Sequence, residues 1–544
     1  MKSDQLPVHH RASADRYRRQ GWWSAEPVAD TLAAFAAQQP DRLALVDHSN
    51  RLSYRDFNHL VTRAAAGLWA VGMRPGDVIG IQLPNILDFA IFQQAAVRMG
   101  AIYLPLIPQL RALDLSYLLD VVKARVLVIP GGYRGFDHTA MIDTISANVP
   151  SLQKILVAGE ASAFLEDTRT FLDQPWETQH GTHISGIVRD PDSVRIISFT
   201  SGTESKPKAV QHSHNTMLFP LRNHTRLFGL SVEDVIFTPS PVGHSTGAVF
   251  GVEMGLYFGG TVVLMDGWHA ERAVEVIARE GASIMWGATT FYNDLVNAPN
   301  LSNHDLSRFR LLCTAGAPIP RSLVTLVKER IGGQLVTAYG QSEGQNITIT
   351  RPDDPIEKVT GSDGRFQEGI DYRLVDGDGK PVAAGDEGEI HYRGPNVCMG
   401  YLDPEHSDHA FAADGFIKSG DLGIMDEDGY LRIVGRRKEI IIRGGENISP
   451  AEIEDYLFKH PKIASVAVVG LPDERLGQRA CAAVIVRDGA TLTLAELTEF
   501  MSELGVAKFK YPERLELVSD LPRTLTGKVQ RDILRNRILT GTTA

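Results

Sequence analysis

The stretch Ser198-Phe199-Thr200-Ser201-Gly202-Thr203-Glu204-Ser205-Lys206-Pro207-Lys208 concentrates groups that could do chemistry. An apolar run over residues 194–199 leads into it and predicts a strand end. Hydroxyl side chains, a glycine and two lysines follow. Hydroxyls and free backbone N–H groups can wrap phosphate oxygens, and lysine adds a point charge without strict geometry. A phosphate cradle and a solvated turn rich in Ser and Lys are equally compatible with this stretch alone.

Further candidates recur along the chain. Thr337-Ala338-Tyr339-Gly340-Gln341-Ser342-Glu343 closes a predicted strand with an aromatic, a glycine, a hydroxyl and a carboxylate. Ser419-Gly420-Asp421 reads as a turn presenting a carboxylate. A charged cluster, Arg436-Arg437-Lys438-Glu439, precedes Arg443-Gly444-Gly445-Glu446, and Thr526-Gly527-Lys528 lies near the end. Taken singly, each has a plain reading: Glu343 and Asp421 as loop carboxylates, Arg436 as part of a surface charge run, Tyr339 as core. The Gly527-Lys528 pair is not a P-loop, because the first glycine is missing and Val529 stands where Ser or Thr is needed. No G-x-G-x-x-G follows a strand, which argues against a Rossmann cofactor site. Gly243-His244-Ser245-Thr246-Gly247 and Gly340-Gln341-Ser342-Glu343-Gly344 both match G-x-S-x-G. A nucleophile elbow needs a strand before the serine and a helix after it. Pro239 and Pro241 precede the first match and a β-favouring run follows the second, so an esterase through Ser245 or Ser342 is a minor alternative.

The elements that must position these residues are legible from apolar spacing. Residues 54–71 have helical periodicity, and strands are predicted at 43–46, 78–83, 124–130, 154–157, 235–238, 261–265, 283–286, 310–314 and 334–338. Strands alternating with helices in this way indicate a mainly parallel sheet covered on both faces. After residue 370, short strands joined by Asp-Gly turns predict an antiparallel region. Capping signals at Ser449-Pro450-Ala451-Glu452 and Thr493-Leu494-Ala495-Glu496 open two helices of a small α+β unit. Residues 1–25 read as a loosely attached lead-in.

The 544-residue length requires more than one domain. A net charge of −11 argues against a general nucleic-acid binder. Cys313, Cys398 and Cys481 are widely spaced and suit a reducing compartment. With no apolar leader and no run long enough for a membrane span, a cytoplasmic protein is expected.

In order and spacing, the candidate motifs resemble the acyl-adenylate-forming superfamily: acyl- and aryl-CoA synthetases, carrier-charging adenylation domains and luciferases. The resemblance covers nearly the whole chain and includes Leu52-Ser53-Tyr54, Leu83-Pro84-Asn85 and Arg98-Met99-Gly100-Ala101. It implies an α/β fold: a large N-terminal domain (1–437) of stacked, mostly parallel sheets with a short barrel-like region, and a small mobile α+β domain (438–544) hinged at Lys438. It further implies an ATP- and Mg²⁺-dependent acid–CoA ligase. Thr200, Ser201, Gly202, Thr203 and Lys208 would hold the phosphates, and Gly316, Ala317, Pro318, Tyr339, Gly340 and Ser342 the adenine side. Asp421 would take the ribose, Arg436 the ribose or a phosphate, Glu343 with Thr203 the metal, and Lys528 the reacting carboxylate and α-phosphate. His244, Ser245, Thr246, Gly247 and Gly340 would line the acyl pocket, with His244 beside the acyl group, and Arg443, Gly444, Gly445 and Glu446 the thiol channel.

Two departures stand out. Glu204 and Ser205 replace the family's usual Thr-Gly pair, and the Glu204 side chain is expected to face solvent or pair with Lys206 or Lys208. Segments 17–23 and 133–137 resemble the dihydroxybenzoate-AMP ligase and cyclohexanecarboxylate–CoA ligase branch. The dihydroxybenzoate enzymes have Asn after the pocket histidine, where Ser245 stands here, so a hydrophobic aryl, alicyclic or medium-length acid is expected. The chain ends without a carrier domain, which favours CoA as the thiol, with a separate carrier protein as the alternative. A binding module without catalysis is a third reading, and the oligomeric state is left open, a homodimer included.

Overall fold

The computed structural model describes residues 6–159, 165–200, 207–315, 321–444, 446–523 and 529–542. Two large sheets dominate. One has nine strands, in the order Arg365–Phe366, Gln345–Ile349, Gln334–Gln341, Leu311–Ala315, Ile284–Gly287, Val235–Thr238, Thr261–Leu264, Leu43–Val46 and Arg51–Ser53. Its central strands run parallel. The other has eight strands, with Val194–Phe199, Ile102–Leu106, Val78–Gln82, Val126–Pro130 and Lys154–Ala158 forming a parallel middle. Strands such as Val78–Gln82 and Val126–Pro130 are buried at every position, as covering on both faces requires.

Helices Tyr54–Ala70, Leu87–Arg98 and His214–Leu227 pack between the sheets in one shared core. Helices Ala270–Glu280, Thr289–Val296 and Arg321–Arg330 cover the outer face of the first sheet, and Ala112–Val121 with Ile142–Asn148 that of the second. The layering is therefore helix, sheet, helix, sheet, helix. Tyr54–Ala70 shows why the middle layer fits. Ser53 Oγ caps it by accepting from Asp56 N at 3.1 Å, and its Phe57, Val61, Ala64, Ala65 and Leu68 are fully buried. A Cβ on Gly67 would lie 2.5 Å from the Phe171 ring, so the helix can approach that neighbour only through glycine.

One buried ion pair pins the middle layer to the second sheet. Arg195 Nη2 lies 2.7 Å from Glu253 Oε1, which also accepts the Tyr103 hydroxyl at 2.7 Å. Arg195 and Tyr103 come from adjacent strands, and Glu253 from the π-helical turn Ala248–Glu253.

Beyond residue 370 the strands Asp371–Val375, Glu387–Arg393, Ile417–Met425 and Leu431–Arg436 form an antiparallel sheet. Asp421 is inside the Ile417–Met425 strand, which corrects the expected turn at Ser419-Gly420-Asp421. Gly420, at φ +71°, and a register irregularity against Glu387–Arg393 let the strand continue through a turn-like sequence. Residues 441–540 build their own sheet, with Gly477–Val486 flanked by Ile441–Arg443, Ile463–Asp473 and Arg514–Leu517. Helices Pro450–Leu457 and Leu494–Glu503 cover one face and Arg531–Thr540 the other. The full capping box forms at Thr493 and Glu496. At Ser449 the cap to Glu452 N forms, while the Glu452 carboxylate binds Lys510 instead.

The N-terminal segment is not loose. Leu6, Ala14, Tyr17 and Trp23 are buried together. His10 Nε2 donates to Val397 O at 2.9 Å, and Trp23 Nε1 donates to Pro395 O at 2.8 Å. Its aromatic side chains satisfy carbonyls of a distant loop, which periodicity does not reveal. Among the described residues no helix is long and apolar enough to cross a membrane.

Several histidines are buried in this core, and burial pushes His224 down to about 3. An unfolded histidine takes up a proton near pH 6.5, whereas folded His224 stays neutral far below that. Its contribution is therefore fully present above 6.5 and is lost as pH falls, by about 2 kcal/mol at pH 5. His224→Phe keeps a ring of similar volume without the titration. Its thermal midpoint should gain on the parent's progressively between pH 7 and pH 5, and a pH-independent difference would contradict the burial argument.

Candidate active site

The carboxyl ends of the parallel strands of the first sheet carry the candidate groups, where open α/β sheets place ligands. Gln334–Gln341 runs into a tight hairpin and returns as Gln345–Ile349. Gly340 is required there, because a Cβ would collide with the Gln345 carbonyl. The hairpin presents Tyr339 and Gln341 to one side and Glu343 to another.

On the first side stands Asp421, 4% exposed. Its carboxylate accepts the Tyr339 hydroxyl at 2.8 Å and Gln341 Nε2 at 2.6 Å on Oδ2, and pairs through Oδ1 with Arg436 Nε at 3.0 Å. Asp421 and Arg436 are direct cross-strand partners in the antiparallel sheet, so the ion pair is built into the register. Burial, then the Asp421 charge, raises the Tyr339 phenol well above its ordinary range and keeps it a proton donor. Burial works against the Arg436 charge, but Asp421 and Glu439 hold its pKa above the usual value.

On the second side the Tyr401 hydroxyl donates to Glu343 Oε1 at 2.6 Å. Burial and then the Glu343 charge raise the Tyr401 phenol far above its ordinary range. Lys208 Nζ sits 5.7 Å from the centre of the Tyr401 ring. Lys208 belongs to the base of the opening loop, where Thr200 N donates to Lys208 O at 3.0 Å. Strands Val194–Phe199 and Ala209–Ser213 flank that loop as an antiparallel hairpin. Thr200 and Lys208 are therefore held together, and Lys208 is brought to the ring of Tyr401, whose hydroxyl binds Glu343. Ser201, Gly202, Thr203, Glu204, Ser205 and Lys206 lie outside the described residues, as do Gly316, Ala317, Pro318, Gly445 and Lys528.

Ser342 lies in the hairpin turn between antiparallel strands, with no helix following, so the nucleophile-elbow context is absent there. Its carbonyl accepts His212 Nε2–H at 2.7 Å; burial pushes His212 down to about 4, leaving it neutral with Nδ1 free to accept from Thr216. His244 is exposed and caps the short turn Ser245–Gly247, its Nδ1 accepting from Thr246 N at 3.3 Å. Ser245 and Thr246 are half-buried, and Gly247 is buried against the Pro241 carbonyl. Arg443 is engaged bidentately by Glu513, at 2.9 and 2.7 Å, within its own sheet, with Gly444 at φ +58° and Glu446 opposite Arg443 in a tight hairpin. That turn is not among the groups gathered at Asp421 and Glu343. Lys438 sits in the 3₁₀ turn Arg437–Glu439, whose Glu439 pairs with Arg531 at 2.8 Å.

Sequence reasoning missed Tyr401 and Asn85 as functional supports. Asn85 Nδ2 approaches the carbonyls of Thr238, Ser240 and Met265 at 3.0, 2.9 and 3.1 Å, and its Oδ1 accepts Val242 N at 3.0 Å. This one side chain ties the turn before His244 to the end of the Val78–Gln82 strand. Asn85 was visible in the Leu83-Pro84-Asn85 stretch, but nothing local pointed to partners over 150 residues away.

The AMP-binding enzyme family model matches residues 32–402, and the AMP-binding enzyme C-terminal domain model matches residues 452–528. A medium-chain fatty-acid–CoA ligase of Escherichia coli (strain K12) is 35% identical over 529 residues, covering 96% of this chain and 92% of that protein. A 2,3-dihydroxybenzoate-AMP ligase of Bacillus subtilis (strain 168) is 32% identical over 531 residues, covering 96% of each. The crystal structure of an anthranilate CoA ligase in complex with anthranoyl-AMP superposes over 100% of both chains with TM-score 0.84 and 25% identity.

The stitching by Asn85 has a measurable weight. Asn85→Ala removes the donor to the Ser240 and Met265 carbonyls and the acceptor of the buried Val242 N–H, and should destabilise the protein by about 2–4 kcal/mol in denaturant unfolding. A loss under 0.5 kcal/mol would mean that the turn before His244 is held by other contacts.

Proposed function

The chain belongs to the AMP-binding enzyme family, and on that premise we propose that it is an AMP-forming carboxylic acid–CoA ligase. A carboxylate oxygen of the acid attacks the α-phosphorus of ATP and pyrophosphate leaves, giving an acyl-adenylate. The sulfur of CoA then attacks the acyl carbonyl and AMP leaves, giving the thioester. The observation that carries this reading is the hairpin at Gly340, which offers Asp421 with Arg436 on one side and Glu343 with Lys208 on the other. One pole suits a ribose and the other a polyphosphate.

The roles follow from the chemistry of the groups. Asp421, oriented by Tyr339, Gln341 and Arg436, accepts the ribose hydroxyls, and Tyr339 offers a ring face to adenine beside Gly340, Ser342 and the segment Gly316-Ala317-Pro318. Thr200, Ser201, Gly202, Thr203 and Lys208 cradle the phosphates. Glu343 and Thr203 fit Mg²⁺, which needs only one or two protein oxygens beside phosphate and water. When bound, the ion neutralises charge on the phosphates. Tyr401 holds Glu343 Oε1, which aims the other carboxylate oxygen. Lys528 bridges the incoming carboxylate and the α-phosphate, a charge-stabilising role that needs no covalent catalysis. The acid enters by His244, Ser245, Thr246 and Gly247, and is a hydrophobic aryl, alicyclic or medium-length one.

We place the boundary between domains 1–437 and 438–544, with Lys438 as the hinge. Rotation there replaces Lys528 by the Arg443-Gly444-Gly445-Glu446 turn, whose glycines leave room for a pantetheine arm. The buried free thiols Cys313, Cys398 and Cys481 suit the cytoplasm. Similarity to a relative named salicyl-AMP ligase / salicyl-S-ArCP synthetase supports one second reading, in which a carrier protein's thiol is the acceptor.

Carboxylate-dependent ATP–pyrophosphate exchange across a panel of acids tests the first step, and trapping of acyl-CoA tests the second. Exchange without thioester formation selects the carrier reading, and no exchange with any acid overturns both. Lys528→Ala should cut exchange at least a hundredfold while thioester formation from pre-made acyl-adenylate survives; equal losses would contradict the rotation. Tyr401→Phe should lower exchange about tenfold. It should also weaken Mg²⁺-dependent ATP binding in calorimetry at an unchanged thermal midpoint, and unaltered binding would reduce Tyr401 to packing.

A further inference from the structure

A second polar cluster lies between the two sheets, apart from the groups at Asp421 and Glu343. His224 is fully buried, and among the described residues neither of its ring nitrogens has a hydrogen-bond partner. Trp286 Nε1 and Thr238 Oγ1 are buried and unpartnered in the same way. These groups are neighbours. The rings of His224 and Trp286 are 5.3 Å apart, and Phe250 lies 5.4 Å from the first and 4.8 Å from the second. Phe228 stacks on His224 at 5.8 Å. A Cβ on Gly251, beside Phe250, would lie 2.8 Å from Thr238 Oγ1.

The cluster sits where a substrate tail would reach. Thr238 ends the Val235–Thr238 strand and Trp286 is next to last in Ile284–Gly287, so both lie at the carboxyl ends of parallel strands. Trp286 O accepts the Ser240 hydroxyl at 2.9 Å, linking the cluster to the turn that carries His244. Phe250 follows Ser245 by five residues along one continuous helical run, about 7 Å down its axis. A six-membered ring substituted at opposite ends has that reach.

Buried polar atoms are nearly always satisfied, and several orphans in one place need a partner from outside the chain. We propose that the far end of the acid occupies this cluster and carries a hydroxyl group, which accepts the Trp286 indole N–H and donates to a ring nitrogen of His224; the proposal rests on the ligase reading. His224 is held neutral by burial, with its pKa pushed down to about 3, so it offers one donor and one acceptor. A hydroxyl can use both kinds of group. A carbonyl leaves the acceptor nitrogen unmet, and a C–H end leaves every group unmet. Phe228 and Phe250 supply apolar walls for the carbon frame, so the selected class is an aryl, alicyclic or medium-chain acid hydroxylated opposite its carboxylate.

The test compares matched acids in pyrophosphate exchange: benzoate with 4-hydroxybenzoate, cyclohexanecarboxylate with its 4-hydroxy and 4-oxo derivatives, and octanoate with 8-hydroxyoctanoate. In at least one set the hydroxy acid should have a kcat/KM about ten- to a hundredfold above its deoxy partner, with the oxo acid between them. His224→Phe and Trp286→Phe should each erase that preference, bringing the ratio of hydroxy-acid to deoxy-acid kcat/KM to within about threefold of one. Exchange with deoxy acids and no gain from the hydroxyl in any set overturns the proposal and assigns the cluster to buried water, while the ligase reading stands. A preference that survives both variants also overturns it. No exchange with any acid overturns the ligase reading itself, and this proposal with it.

Discussion

A single buried carboxylate, that of Asp421, fixes how the parallel and antiparallel parts of the protein meet. Its donors come from different sheets: Tyr339 and Gln341 from the end of Gln334–Gln341, and Arg436 from the cross-strand position on Leu431–Arg436. A charge at 4% exposure is tolerable only when paired and hydrogen-bonded, so any shift between the sheets would leave it stranded. The geometry of the proposed nucleotide end of the site is thus set by a constraint that also holds the fold. The same hairpin places Glu343 against Tyr401, so both poles move as one unit.

Support for that unit comes from an unexpected direction. The loop at 395–401 is gripped by the N-terminal segment, through Trp23 to Pro395 O and His10 to Val397 O. On its other side Cys398 N donates to Glu343 O at 2.8 Å, and Asn396 Nδ2 donates to Gly344 O at 2.6 Å. A chain of backbone-directed hydrogen bonds therefore runs from the first helices to the backbone of Glu343 and Gly344. Each link satisfies a carbonyl or N–H that would otherwise be buried without a partner.

Much of this architecture is legible in the sequence, for definite reasons. The strand at 126–130 and the helix at 54–70 follow from apolar runs and 3.6-residue spacing, and the capping box at Thr493 from local chemistry. The order of motifs gave the family. Ser-Gly-Asp has turn chemistry, which predicts a turn at Asp421, and only pairing with Leu431–Arg436 makes it a strand. Tyr401 and Asn85 act across 58 and more than 150 residues of sequence, where no periodicity operates. The N-terminal helices are too short and too polar to announce a docking face.

The interior polar groups raise the remaining physical question, why a core this large keeps them. Arg195, Glu253 and Tyr103 form a matched set, because the carboxylate meets a guanidinium and a phenol. His224, Trp286 and Thr238 have no such match, although the same helical run, 245–258, carries both Glu253 and the Phe250 ring that touches them. The run is therefore anchored at Glu253, while the groups around Phe250, one turn nearer Ser245, are unsatisfied. The π-helical turn Ala248–Glu253 carries both Phe250 and Glu253. An apolar residue at 224 would pack against Phe228 and Phe250 without leaving orphaned nitrogens, so stability alone does not account for histidine there. Local conflict between sequence and packing of this kind concentrates where function sets the residue, which is the physical ground for proposing that the acid reaches this cluster.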